Sequence, residues 1–102
     1  MRVQAADAVR RALALQRLRD EYRERLTKAR SSSLLPRLAD RLFEAPAVTA
    51  GIAAADLGVS RRAAALNIDK LVSDGILVEV DGPGRARWFV ASQILDLLDG
   101  QR

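Results

Sequence analysis

The chain has 102 residues, a net charge of +4 at pH 7, and neither cysteine nor histidine. The lack of cysteine excludes disulfides, thiolate metal sites and thiol catalysis, and the lack of histidine removes the commonest proton relay and metal ligand. No segment approaches the roughly 20 apolar residues that cross a bilayer. We therefore expect a cytoplasmic protein that is not an enzyme, binds no cofactor, metal or membrane, and has one compact domain with one appendage.

The charge is unevenly distributed along the chain. Residues 1–30 carry nine basic and four acidic side chains, a net of +5, whereas residues 31–102 carry eight and nine, a net of −1. The high isoelectric point therefore belongs to the N-terminal segment.

Residues 1–30 contain no proline or glycine and predict a long, basic, amphipathic helix. Alanine, leucine and tyrosine recur along it at intervals of three and four residues and form one stripe. Such a stripe needs a partner, which is a second copy, the rest of the chain or a further domain. We predict a dimerisation or docking surface, and its central residues are Leu15, Leu18, Tyr22 and Leu26.

The opposite face of this helix is rich in arginine. Such a face could grip nucleic acid, but acidic residues are interspersed at helical spacing, as in Glu21 and Arg25. This pattern is more typical of a solvated face that pairs its own charges.

Residues 31–102 predict a winged helix-turn-helix. A leucine-rich helix ends at Pro46, and Thr49 caps a short helix that ends near Leu57. Gly58 supplies the sharp turn, and Ser60 caps the next helix. Two helices joined by a short glycine-containing turn define the helix-turn-helix layout.

A hairpin and a last helix follow. Gly75 ends the second helix of the pair, residues 76–80 and 87–90 are rich in β-formers, and residues 81–84 are dense in turn residues. Ser92 is expected to cap the closing helix. The predicted fold class is mainly α with a small β-hairpin. Which face of the hairpin holds Trp88 and which holds Phe89 stays open, although Trp88 is more typical of core or wing packing than of base stacking.

Several segments resemble the C-terminal winged helix of bacterial Fic-family proteins: Val59–Arg62, Leu66–Val72, Asp74–Leu77, Arg85–Ala91 and Ile94–Leu98. Leu18–Leu26 looks like the segment that follows the catalytic core in such proteins, so the resemblance extends over nearly the whole chain. Fic enzymes transfer AMP from ATP to a hydroxyl of a target protein, with a signature that begins His-Pro-Phe and continues to a Gly-Asn-Gly-Arg turn. This sequence has neither element, so the resemblance implies a regulatory C-terminal module rather than the catalytic core. The long helix would then dock on that core.

A winged helix places its second, recognition helix in the major groove of double-stranded DNA. Arginine suits guanine, asparagine suits adenine, and basic wing residues suit phosphates. The predicted nucleic-acid-binding residues are Ser60, Arg61, Arg62, Asn67, Lys70, Arg85 and Arg87.

The recognition helix also carries features that argue against DNA. Residues 63–66 read Ala-Ala-Ala-Leu, and Leu66 is better explained by contact with protein. Asp69 and Asp74 lie on the same helix, and the domain is slightly acidic although DNA-binding surfaces are usually basic. The alternative function is therefore a protein-interaction or dimerisation module that does not bind DNA.

Overall fold

The computed structural model describes residues 5–28 and 34–99. The protein is mainly helical with a small antiparallel sheet, as predicted. The elements are α1 (Ala5–Lys28), α2 (Leu34–Leu42), β1 (Ala47–Val48), α3 (Ala50–Leu57), α4 (Arg61–Ser73), β2 (Val78–Val80), β3 (Trp88–Val90) and α5 (Ser92–Leu98). Helices α3 and α4, joined by a short turn at Gly58, are the two helices of the predicted pair, and β2 and β3 form the predicted hairpin, which we call the wing. The predicted domain boundary between residues 30 and 31 lies outside the described residues.

The sheet has three strands in the order β1-β3-β2, and both pairings are antiparallel. The sequence predicts the β2–β3 hairpin but not β1, because a two-residue strand after Pro46 is too short to show alternation. Val48 of β1 is fully buried and lies opposite Phe89, and the amide of Ala91 donates to the carbonyl of Pro46 at 2.9 Å. The extra strand ties the wing to the start of α3.

The helix-turn-helix is held by the local caps that the sequence predicts. The Thr49 hydroxyl accepts a hydrogen bond from the amide of Ile52 at 3.1 Å, and the Ser60 hydroxyl accepts one from the amide of Ala63 at 3.0 Å. Between them, Gly58 adopts a left-handed conformation with φ of 69°. Glycine occupies this region without steric cost, so the chain reverses between α3 and α4 within three residues.

The end of α4 sets the direction of the wing. Gly75 has φ of 80°, and its amide donates to the carbonyl of Val72. The amide of Ile76 donates to the carbonyl of Leu71 at 2.9 Å. These two bonds form a Schellman motif, and both Leu71 and Ile76 are fully buried beside it.

One hydrophobic core joins all five described helices to the sheet. It includes residues from α1 as well as from the helix-turn-helix, so the second half of α1 is part of the same packed unit. The largest fully buried side chains are Tyr22, Leu26, Leu38, Leu42, Val48, Ile68, Leu71, Ile76, Leu77 and Ile94.

The predicted dimer stripe is the inner face of α1. Leu18, Tyr22 and Leu26 are buried within the chain's own core, and Leu15 is partly buried against it. These residues are therefore not exposed for a second copy, and the dimerisation surface assigned to them is corrected to an intramolecular contact with α2 and α5. Sequence periodicity identifies an apolar face but not its partner, because all partners satisfy the same pattern.

The hairpin presents Phe89 to the core and Trp88 to its own turn, which resolves the open question of register. The indole N–H of Trp88 donates to the carbonyl of Pro83 at 2.9 Å. A Cβ atom at Gly82 would lie 2.3 Å from Cδ1 of Trp88, so glycine is required for the turn to close on the ring. The wing is thus braced by an aromatic side chain at its tip.

Helix α5 closes the core through Ile94, which is fully buried. The prediction that Ser92 caps this helix is wrong, since Ala91 occupies the N-cap without a side-chain hydrogen bond and Ser92 is the first helical residue.

Candidate nucleic-acid interface

The outward line of α4 consists of Arg62, Leu66 and Lys70, which are all exposed. They follow one another at four-residue intervals and therefore share one face of the helix. At 1.5 Å per residue, this line is about 12 Å long. The major groove of B-DNA is about 12 Å wide and admits an α-helix, so an exposed helix face of this kind can meet base edges.

The basic residues of the described range 34–99 fall into two groups. Three are held by partners within the chain. Arg37 donates to the carbonyl of Leu57 at 3.3 Å, Arg41 pairs with Asp56, and Arg87 pairs with Glu79. The other four make no ion pair with any described residue, and we call them the unpaired cations: Arg61, Arg62, Lys70 and Arg85.

All four unpaired cations are residues that the sequence assigns to nucleic-acid binding. Arg61, Arg62 and Lys70 lie on α4, and Arg85 lies on the exposed turn of the wing. The wing stands beside α4, because Ala86 and Arg87 face Ala65 and Asp69 across one cleft. The two elements thus form a continuous surface. Ser60 is also exposed there, and its hydroxyl serves as the cap of α4.

Arg87, unlike Arg85, has an ion-pair partner within the described chain. Its guanidinium donates two hydrogen bonds to the carboxylate of Glu79 at 2.9 and 2.8 Å and lies 5.4 Å from the centre of the Phe89 ring. The hydrogen bonds to Arg87 lower the pKa of Glu79. Arg87 therefore has a partner on the neighbouring strand while its side chain stays exposed, and its assignment to phosphate binding stays a prediction.

Asn67, by contrast, is removed from the predicted interface. It is only 6% exposed, and its Nδ2 donates to the carbonyl of Ala63 at 2.8 Å. Its Oδ1 has no hydrogen-bond partner among the described residues. A side chain buried in this way does not reach a base edge, and the sequence could not indicate this because Asn67 follows Leu66 at the border of the exposed face.

The basic residues of α1 attach this helix to the domain. Arg19 and Arg23 both donate to the carboxylate of Asp40 on α2, at 3.2 and 3.0 Å, and Arg25 donates to the carbonyl of Asp74 at 2.9 Å. Burial alone would raise the pKa of Asp40, but hydrogen bonds and charge from Arg23 and Arg19 outweigh it and lower the pKa.

The sequence predicts that the charged residues of α1 pair with one another. The structure shows such pairs, and it also shows ion pairs between α1 and α2. Glu21 and Arg25 do pair, at 3.6 Å, and Asp7 pairs with Arg10. The pairs between α1 and α2 join residues 17 and 21 positions apart, and no helical spacing signals them.

Large exposed apolar side chains also occur on α4 and on the first half of α1. Leu66 in the outward line of α4 is 55% exposed, and Val9 and Leu13 in the first half of α1 are 58% and 53% exposed. The first half of α1 therefore keeps an uncovered part of the predicted stripe.

The described residues contain no group of three or more acidic side chains that would hold a metal ion. Among the same residues, no helix has the length and apolar character needed to cross a membrane. Neither the scan against protein-family models nor the comparison with curated proteins finds a match to this chain.

Proposed function

We propose that this chain is a non-catalytic winged helix of the DNA-binding type, which acts in the cytoplasm on double-stranded DNA. Helix α4 enters the major groove, and the wing lies against the sugar-phosphate backbone. The observation that carries this proposal is where the unpaired cations lie. All four in the described range 34–99 are on α4 and the wing, where Arg87 alone is paired, whereas Arg37 and Arg41 on α2 are held by a carbonyl and an acid.

Each unpaired cation has a role that follows from its position. Arg62 leads the outward line of α4 and is suited to the acceptor pair of a guanine. Lys70 and Arg85 are suited to phosphates on either side of the groove, and Arg61 adds charge at the start of α4. On a duplex without a specific site, all four cations meet phosphates instead, and the slope of the logarithm of the binding constant against the logarithm of the salt concentration is about −3 to −4.

The decisive experiment is fluorescence anisotropy with a labelled random-sequence duplex and the full chain at low salt. Arg62→Ala and Lys70→Ala should each weaken binding and reduce the salt slope by about 1 if the residue contacts a phosphate. Arg17→Ala is the matched control, because Arg17 is exposed on α1 and its removal changes the net charge equally. Absence of binding at low salt, or equal weakening by the control, would contradict the proposal.

A second candidate function is supported by Leu66. A leucine that is 55% exposed at the centre of the outward line of α4 is unusual in a surface that contacts phosphates, and it suits contact with a protein partner. Leu66→Ser separates the two functions. It should leave binding to random duplex nearly unchanged, because the non-specific contacts are ionic, but should weaken a protein interaction through the apolar contact.

We also propose that the chain serves as the regulatory C-terminal module of a Fic-type AMP-transferring protein. This proposal is supported by the resemblance described above and by the exposed Val9 and Leu13, which leave room for a further contact on α1. The test is whether the genomic reading frame continues upstream into a His-Pro-Phe and Gly-Asn-Gly-Arg signature. A stop codon directly upstream of Met1 would contradict it.

A further inference from the structure

A cleft of about 280 Å³ opens between the start of α3, one side of α4 and the base of the wing. Ala65, Ile68 and Phe89 give it an apolar wall, and Arg61, Asp69 and Arg87 stand among its charged lining residues. The volume lies near the lower end of the range for small-molecule sites, about 300–1,000 Å³. The cleft can therefore hold a ligand about the size of a substituted benzene ring.

Arg61 reaches into this cleft because residue 51 has no side chain. A Cβ atom at Gly51 would lie 2.9 Å from Nη2 of Arg61, so the guanidinium rests directly against the first turn of α3. That turn carries the positive end of the helix dipole, which repels a cation. An anion in the cleft would relieve this repulsion.

The charges of the cleft define the ligand further. Arg87 is already occupied by Glu79 and by the Phe89 ring. Asp69 lines the same cleft without an ion pair to any described residue, but it lies two turns of α4 from Arg61, about 12 Å along the helix, and its charge acts on Arg87. Arg61 is thus the one cation among the lining residues that has no partner within the described chain. One cation beside an apolar wall matches a ligand with one negative charge and a hydrocarbon body.

We propose that this cleft binds a small organic monocarboxylate. The carboxylate would pair with Arg61, and the hydrocarbon part would lie against Ala65, Ile68 and Phe89. A free phosphate dianion matches the cleft less well, because it has no apolar part to lie against the apolar wall.

The site has a consequence for DNA that rests on the proposed function. Arg61 belongs both to the cleft and to the unpaired cations, and the cleft is walled by α4 and the wing together. A bound carboxylate therefore neutralises part of the surface that would meet DNA. Carboxylate binding itself requires no DNA, so the carboxylate site and the DNA-binding function can be tested independently.

The test uses benzoate as the probe and the ¹⁵N-labelled full chain without DNA, at constant ionic strength. We expect the amide signals of Gly51, Ala65 and Ala86 to shift together, with a Kd of about 1–10 mM for so small a ligand. Benzyl alcohol, which has the ring without the charge, and inorganic phosphate, which has charge without the ring, should each bind at least tenfold more weakly. Equal binding of either compound would overturn the proposal.

Variants locate the site. Arg61→Gln and the cleft-filling Ala65→Leu should each weaken benzoate binding at least tenfold, provided their amide spectra show the native fold. Arg62→Gln is the matched control, because it removes the neighbouring arginine of the same helix, which does not line the cleft. If Arg62→Gln weakens binding as much as Arg61→Gln, or Ala65→Leu leaves it unchanged, the site is not this cleft.

A final measurement separates this proposal from the proposed function. Benzoate should weaken duplex binding by the wild-type chain and not by Ala65→Leu. If benzoate binds in the amide titration but no duplex binds at low salt, the carboxylate site stands and the DNA function fails. If duplex binds but no amide shifts with benzoate, the carboxylate site fails alone.

Discussion

The phenolic hydroxyl of Tyr22 donates a hydrogen bond of 2.6 Å to Oε1 of Gln93. This bond joins α1 to α5 across 71 positions of sequence. The ring itself is fully buried and lies 5.9 Å from the ring of Phe43, and burial raises the pKa of the hydroxyl. Tyr22 therefore fixes the basic helix to the domain by both its apolar and its polar parts.

Two substitutions at Tyr22 separate these contributions. Tyr22→Phe removes only the hydrogen bond and should lower the free energy of unfolding by about 0.5–1.5 kcal/mol. Tyr22→Ala also leaves a cavity and should cost about 3–5 kcal/mol. Urea unfolding followed by circular dichroism measures both. A negligible effect of Tyr22→Ala would contradict the packing of α1 on the domain.

The link between α1 and α2 should respond to acid. Because the pKa of Asp40 is lower in the folded chain than its unfolded value of about 3.9, its ionisation stabilises the fold above that pH. The contribution is lost as the pH falls through the folded pKa. Its size is under about 1 kcal/mol, since the pair is partly solvated.

Asp40→Asn should accordingly reduce the loss of stability between neutral and acid pH, measured as the urea midpoint at each pH. Removing both partners, in Arg19→Gln with Arg23→Gln, should flatten the same acid limb without touching the carboxylate. If the wild type and both variants lose stability in parallel, the ion pairs do not contribute.

The paired state of Arg87 gives a prediction about DNA. Glu79→Gln removes the charge that neutralises Arg87, so duplex binding should tighten several-fold and the salt slope should become steeper by about 1. Arg85→Gln should weaken binding more than Arg87→Gln does in the wild-type background. Anisotropy titrations at several salt concentrations measure these differences, and a reversed order would contradict the distinction between the two arginines.

The tip of the wing can be tested through its single tryptophan. Gly82→Ala places a Cβ atom where Trp88 lies, so the indole must move away from the carbonyl of Pro83. We expect a red shift of the tryptophan emission and weaker duplex binding. Asp81→Ala alters the same turn without that clash and should leave the emission unchanged.

The sequence predicts most of the fold because its strongest signals are local. Thr49, Gly58, Ser60 and Gly75 each act on residues within five positions of themselves, and the structure confirms all four. A cap or a left-handed turn depends on nearby backbone groups alone, so it can be read without knowledge of the tertiary structure.

The incorrect predictions concern contacts between distant segments. The stripe of α1 is apolar whether it meets a second copy or its own domain. Asn67 lies at the edge of the exposed face, where a small rotation of the helix decides burial. These outcomes depend on how elements pack, which periodicity does not determine.

The hydrogen bond between Tyr22 and Gln93 also affects the order of folding. During synthesis α1 emerges early and can pack on α2, but Gln93, which accepts the hydrogen bond of the Tyr22 hydroxyl, lies in α5, the last described element. The contact between α1 and α5 therefore cannot form until α5 has left the ribosome. A chain that ends before Ser92 would keep α3, α4 and the wing and would lack the helix that packs against α1.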